Sequence, residues 1–324
     1  MHLATTGGSE RPLLTFVGAA TLDALALVEQ YPAADERVVA SDLRFAGGGP
    51  AATAAVAASR LGHDVAFIGA VGADSTGDEI IAGLAREGVR TEAMVRVETA
   101  ESGASVVVIS RGTATRAISN RPLPRTDLVS SPAARALLAE STWIHTDHIG
   151  WEPTMHAVRG LGPGPRMSFD GGHLVDGFTP DGLDLYVPTV DALQRRLGRN
   201  PTPHLLEQAA AEFGGTVVAT AGGEGAWTLE RGGAPRRIPG FAVDVLSTLG
   251  AGDVFHGALL AQIAEDRPLD EAVRRANAVA ALSTRALDGR SGIPDAGELD
   301  SFLSAQTTTD RQTATTSPIP EETR

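Results

Sequence analysis

The chain has 324 residues, a net charge of −13, no cysteine and no lysine, so all 27 basic residues are arginine. Without cysteine there are no disulfides, thiolate nucleophiles or Cys-based metal centres; without lysine there is no Schiff base and no Walker-type phosphate-loop lysine. The acidic balance argues against a nucleic-acid partner, no apolar run nears the ~20 residues of a bilayer span, and the polar opening lacks a signal-like segment, so a cytoplasmic protein without a membrane partner is expected.

In chain order, residues 1–11 form a small-polar leader expected to be disordered. Residues 13–17 read as a first buried strand closed by Gly18. Residues 25–45 carry β-type runs, Val38-Val39 among them, with no helix between. Residues 50–61 form an Ala-rich helix ended by Gly62; a strand over 65–68 and a helix over 76–87, stopped by Gly88, follow. Residues 95–118 again hold β runs, at 105–109 and 113–118. With 25–45 they predict hairpin strands lying off the main sheet, a small β flap. Further strands are expected at 143–145, 167–169, 185–187 and 216–219, and helices over 251–264 and 269–287. The Thr- and Pro-rich residues 306–324 are expected to be disordered. Strands alternating with helices predict one α/β domain over residues 12–305, its mainly parallel sheet covered on both faces.

Glycine runs open two of these helices. In Ser247-Thr248-Leu249-Gly250-Ala251-Gly252-Asp253, small residues precede a strongly helical run, so Gly250, Ala251 and Gly252 form a helix N-terminus. Unpaired N–H groups and the helix dipole can hold an anion there. Asp253, in the first turn, can accept a hydroxyl proton beside that anion; a helix start with a favourable first-turn Asp is the plain structural alternative. Gly47-Gly48-Gly49-Pro50 leads into residues 51–61 with Pro at the first helical position, and lacks G-x-G-x-x-G spacing. A third cluster, Thr220-Ala221-Gly222-Gly223-Glu224-Gly225, follows a strand and is otherwise a hairpin turn. His145-Thr146-Asp147-His148 has the residue types of a metal site but reads better as a pocket rim, so no metal ligands are assigned; Asp170-Gly171-Gly172-His173 after a strand is a further pocket element.

Taken in order, Gly48-Gly49, Thr53, Arg60-Leu61-Gly62 and Gly72, then residues 247–253, then residues 285–294, resemble the ribokinase (PfkB-type) family of carbohydrate kinases over about 290 residues. The runs at residues 47–58, 250–259 and 292–295 look most like the sulfofructose kinases in that family. The resemblance implies a ribokinase-like three-layer α/β/α fold with a small β-sheet lid, and ATP- and Mg²⁺-dependent phosphorylation of a sugar hydroxyl. By similarity Asp253 is the base, and Gly250, Ala251 and Gly252 form the anion hole. Asp23, Gly48, Gly49, Thr53, Asn120 and Asp147 fall at the sugar; Thr220, Gly222, Gly225 and Asn277 fall at the nucleotide. A homodimer through the lid is common in the family and is expected here.

The chain also departs from the family pattern. Thr53 stands where the family has Asn, Ser247 where it has Asp, and Leu249 where it has a hydroxyl or Asn. Thr189-Val190-Asp191-Ala192 replaces the magnesium-linked Asn-x-x-Glu, and Ile149 stands where sulfofructose kinases carry a sulfonate-reading Arg. These changes favour a neutral sugar or polyol as acceptor. They leave open a nucleoside kinase, for which Phe45, Trp151 and Phe169 are the stacking candidates, and a sugar-binding regulatory homologue with little turnover.

Overall fold

The apolar runs that predict strands become the middle layer of the fold, and the Ala-rich stretches become its covering helices. The computed structural model describes residues 12–113, 115–159, 164–173, 175, 177–178 and 182–316, with side chains as far as residue 306. The expected leader 1–11 and residues 317–324 of the expected tail lie outside the described residues. The strands are β1 (Leu13–Val17), β2 (Thr21–Val28), β3 (Asp42–Gly48), β4 (Asp64–Ile68), β5 (Ala70–Gly72), β6 (Val95–Val97), β7 (Ala104–Ser110), β8 (Thr115–Arg121), β9 (Trp143–Thr146), β10 (Arg166–Asp170), β11 (Leu185–Val187), β12 (Thr216–Thr220), β13 (Ala226–Leu229) and β14 (Arg236–Ile238). The helices are α1 (Pro50–Arg60), α2 (Ser75–Arg86), α3 (Pro132–Glu140), α4 (Trp151–Val158), α5 (Val190–Leu197), α6 (Thr202–Phe213), α7 (Ala251–Ala264), α8 (Leu269–Ser283) and α9 (Ala296–Thr316).

The main sheet runs β14-β13-β12-β11-β10-β9-β1-β4. Its members from β4 to β12 pair in parallel, and β13 and β14 close the edge antiparallel. Strands buried on both faces need helices above and below. On one side α1, α2, α7, α8 and α9 pack on Leu14, Phe16, Val65 and Phe67. On the other, α3 to α6 pack on Val17, Ile68, Ile144 and Phe169. The small residues of α1 let α7 approach closely: a Cβ added at Gly257 would overlap the carbonyl oxygen of Ala54. Among the described residues no helix is long and apolar enough to cross a membrane.

A second sheet, β3-β2-β7-β8, stands off the first as the lid. Its inner face is fixed by Leu25, Leu27, Val107 and Ile109, which pack with Leu287 as a separate apolar cluster. The lid differs in detail from the sequence expectation. Val38 and Val39 form no strand, because the β2–β3 ladder ends with Leu27 opposite Asp42, and Val39 is 89% exposed. β6 belongs not to the lid but to a two-stranded sheet, pairing in parallel with β5. The long helix expected over 269–287 stops at Ser283, where Ser283 and Thr284 turn their hydroxyls back onto the carbonyls of Ala280 and Ala281. The stretch from Gln306, expected to be disordered, continues α9 as far as Thr316. That helix is nucleated upstream, where Leu299 and Leu303 are buried, and adding residues to a formed helix is far easier than starting one.

Candidate active site

The parallel strands end along one edge, where open α/β sheets hold their ligands. A cleft of about 1560 Å³ lies there between the edge and the lid, lined by Asp23, Ser105, Asn120, Asp170, Asp253 and His256 among others. Register supplies the lid's contribution. Ala46, Asp23, Ser105 and Asn120 lie opposite one another across four strands, so their side chains share one face. Asp23 Oδ1 accepts from Thr21 Oγ1 at 3.0 Å. Burial raises the Asp23 carboxyl above its ordinary value, against the hydrogen bonds of Thr21 and Ser105 and the charge of Arg290. Gly48 leaves room for Asp23, since a Cβ there would overlap its carboxylate. Gly49, at φ +91, caps α1 with Pro50 in its first turn.

Facing this row is the start of α7. Gly250 is its N-cap in the left-handed region, φ +74, and no side chain caps the helix. A Cβ added at Gly252 would meet nothing within 4 Å, and both Gly250 and Gly252 line the cleft. The arrangement offers open backbone N–H groups to an anion. Asp253 follows in the first turn. Burial pushes its carboxyl up to about 7; Asp170 and Asp147 push the same way, while His256 and Arg290 oppose. A carboxylate titrating there can take up a proton near neutral pH.

Behind Asp253, at the end of β10, Asp170 Oδ1 lies 3.1 Å from His256 Nε2 and accepts the Gly172 N–H at 2.8 Å. Burial opposes both charges. The His256 charge nonetheless holds Asp170 well below the carboxylate range, and Asp170 raises the His256 imidazole. His145, its ring centroid 5.2 Å from that of His256, is driven down to about 3 by burial and stays neutral. His256, one turn after Asp253 on α7, was legible as a neighbour by its i+3 spacing alone.

Several residues expected at the ligands are turned to other work. Asp147 is fully buried, and both its oxygens are taken: Oδ2 by Ala19 N (2.8 Å) and Ala51 N (3.2 Å), Oδ1 by Ile149 N (2.9 Å) and Gly150 N (3.1 Å). It staples the β1 turn, the α1 start and the α4 start together and does not line the cleft. Thr53 is 2% exposed and receives the Arg290 Nε at 3.3 Å, so its hydroxyl faces away from the cleft. Asn277 is 7% exposed and donates to the carbonyls of Ile238 (3.2 Å) and Pro239 (3.1 Å), fixing the strand end beside it. Thr220 lines the cleft. Gly222 (φ +57) and Gly225 (φ +97) shape the β12–β13 turn, where a Cβ on Gly225 would overlap the carbonyl oxygen of Ile238. Of the aromatic candidates, Phe45 is 72% exposed on the lid's other face, and Trp151 and Phe169 pack on each other at 4.9 Å. Sequence reasoning missed Arg290, whose guanidinium lies against the Gly47-Gly48 backbone. Its signal was a cation between the glycines of Gly289-Arg290-Ser291-Gly292.

Among the described residues no group of three or more acidic, His or Cys side chains forms a metal cage. Asp191 is exposed in the first turn of α5 and does not line the cleft. Magnesium takes oxygen donors, and phosphate oxygens and water commonly make up most of its shell in enzymes that use phosphate substrates.

The chain is similar to known carbohydrate kinases. The model of the pfkB family carbohydrate kinases matches residues 11–148 and 181–296. The ribokinase of Haemophilus influenzae is 27% identical over 307 residues, covering 90% of this chain and 99% of its own. The ATP-dependent ribose-1-phosphate kinase of Halopiger xanaduensis is 27% identical over 283 residues, covering 86% and 93%. Among solved structures, the ribokinase of Thermotoga maritima superposes with a TM-score of 0.78 at 22% identity over 90% of this chain and 99% of its own. The Arabidopsis thaliana ribokinase complexed with ribose and ATP gives 0.73 at 23% identity over 90% and 98%. The fold is therefore shared with these ribokinases, and the chain belongs to the pfkB family of carbohydrate kinases.

Proposed function

We propose that the chain transfers the γ-phosphoryl group of ATP to a hydroxyl of a sugar bound beneath the lid, with Asp253 as general base. Membership of the family makes it a carbohydrate kinase; the finer reading rests on one observation. A carboxyl raised to about 7 sits in the first turn of an uncapped, glycine-opened helix and faces the polar row Asp23, Ser105 and Asn120. In this reading the lid row binds sugar hydroxyls, and Asp253 takes the proton of the attacking hydroxyl as its oxygen meets phosphorus. The N–H groups at Gly250, Ala251 and Gly252 stabilise the charge that builds on the moving phosphoryl group. Magnesium, bound with the nucleotide, supplies further charge neutralisation. Closing the lid excludes water, which limits wasteful hydrolysis.

The acceptor best supported is a free sugar or polyol. Ile149 lines the cleft without polar atoms in its side chain; of the arginines that also line it, Arg121 is engaged by Glu101 (3.2 Å) and the Ser102 carbonyl (2.7 Å) and Arg116 by Thr248 Oγ1 (3.0 Å), so Arg125 and Arg159 are the cations an anionic sugar would have to use. Phe169 is buried, and Trp151, though it lines the cleft, is only 6% exposed, so a base has little to stack on, which speaks against a nucleoside. The test is ADP release with ATP and Mg²⁺ over a panel of neutral sugars, anionic sugars and nucleosides. Stimulation by nucleosides alone overturns the sugar reading; thermal shifts with sugars but no turnover make the chain a binding protein. A homodimer through the lid's outer face is part of the same proposal. Phe45 and Val106 flank Ala24 in one row there and are 72% and 54% exposed, with Leu43, 64% exposed, in the next.

A further inference from the structure

Arg290 is the one buried arginine among the described residues, 8% exposed, and its side chain bonds neutral oxygens rather than a carboxylate. Nη2 donates to the Gly48 carbonyl at 2.9 Å and Nε to Thr53 Oγ1 at 3.3 Å. A buried guanidinium without an ion-pair partner is costly, and burial pulls its pKa down to about 10. The fold nonetheless holds it firmly. Asp288 Oδ1 accepts the Arg290 N–H at 2.9 Å and that of Ser291 at 2.7 Å. Arg60 Nη1 donates to the carbonyls of Arg290 (2.8 Å) and Ile293 (2.9 Å), and is itself paired with Glu87 at 2.8 Å.

The position is specific. A Cβ on Gly47 would overlap Arg290 Nη1, so the guanidinium lies directly against the sugar-side loop. A Cβ on Gly250 would come within 2.9 Å of Gly289 Cα, so the same turn abuts the start of α7. The charges facing Arg290 are Asp23, Glu87, Asp253 and Asp288. Asp253 is faced in addition by Asp170, Asp147 and His256, and Asp23 by the hydroxyls of Thr21 and Ser105.

We propose that Arg290 is a positioning residue for phosphoryl transfer: it fixes the Gly47-Gly48 backbone from behind and places one positive charge between Asp23 and Asp253. The proposal rests on the reading of Asp253 as base. It also gives the Thr53 hydroxyl a role, as the acceptor of the Arg290 Nε–H at 3.3 Å.

The experiment compares Arg290→Met and Arg290→Lys with the wild type and Asp253→Asn. One readout, amide hydrogen exchange over residues 46–52, needs no turnover. The other is the pH profile of kcat/KM for the best sugar of the panel. Arg290→Met is expected to speed exchange at Gly48 and Gly49 by about tenfold or more, to lower kcat/KM for the sugar by about 100-fold, and to move the acid limb to higher pH. The KM for ATP should stay within about twofold. Arg290→Lys keeps the charge and loses the fork, so it restores the limb but not the exchange protection. Wild-type exchange together with a wild-type limb in Arg290→Met overturns the proposal, as does a limb in Arg290→Lys no better than in Arg290→Met. Full turnover by Asp253→Asn sinks the base reading instead, and the exchange arm still decides the loop role. If Arg290→Met does not fold, Thr53→Val removes only the Nε acceptor. Exchange about threefold faster with an unmoved limb then supports the proposal, and unchanged exchange overturns it.

Discussion

Replacing Asp253 with Asn separates its chemical role from its cost to the fold. The carboxyl rises from an ordinary 3.8 to about 7, chiefly through burial. If ionised Asp253 is the base, kcat/KM should be level above about pH 8, half its plateau near pH 7, and fall about tenfold per unit below, reaching about 1% of the plateau at pH 5. A surface carboxylate would still be more than about 90% ionised at that pH. The same shift bears on stability. An acid with a raised folded-state pKa stabilises fully below 3.8, and that stabilisation is lost as pH rises through 7. At pH 8 the charged form therefore costs up to about 4 kcal/mol, from about 1.36 kcal/mol per unit, less what cleft water screens. Asp253→Asn should lower kcat by at least about 100-fold and yet resist urea better than the wild type at pH 8. ADP release from pH 5 to 9 and urea denaturation measure both. A flat profile between pH 5 and 8, or a mutant that is active and less stable, would refute the reasoning.

Three further outcomes are expected. His256→Leu leaves Asp170 buried without its counter-charge and should cost about 3 kcal/mol or more, part of which Asp170→Asn restores in the double mutant. The pair contributes fully only above 3.8 and below 6.5, the ordinary values of its two groups, so the loss measured by urea should be largest near pH 5 to 6. Gly257→Ala forces α7 away from Ala54 and should destabilise by about 1–3 kcal/mol in thermal unfolding. Phe45→Glu should shift the mass measured by light scattering from dimer to monomer while the fold is kept; an unchanged mass would remove the lid's outer face as the interface.

The core strands and helices were legible because their apolar periods and glycine stops are local. The strand expected over 13–17 and the helix expected over 251–264 have the bounds of β1 and α7. Val38-Val39 misled because strand-forming residues make a strand only where a partner ladder reaches them, and this one stops at Leu27. At the site, Asp253 and its glycines could be read because a helix N-terminus is a contiguous motif. Asp147 could not, because its four N–H donors come from segments up to 128 residues apart. Arg290 was hidden for the same reason: its partners, Gly48 and Thr53, lie 242 and 237 residues away. Family resemblance carries residue types to positions; it does not say which way a side chain turns, and Thr53 and Asn277 turned inward.

The Asp147 staple sets limits on how this cleft can change. One carboxylate, out of reach of any ligand, gathers the backbone of three segments that carry the floor of the site. Those segments cannot drift independently, so a new acceptor is accommodated most easily by altering the lid row, where each side chain stands on its own strand. The molecule thus divides into a floor that keeps the reaction geometry and a removable ceiling that chooses the guest, and laboratory evolution towards a different sugar should accumulate its substitutions in the ceiling.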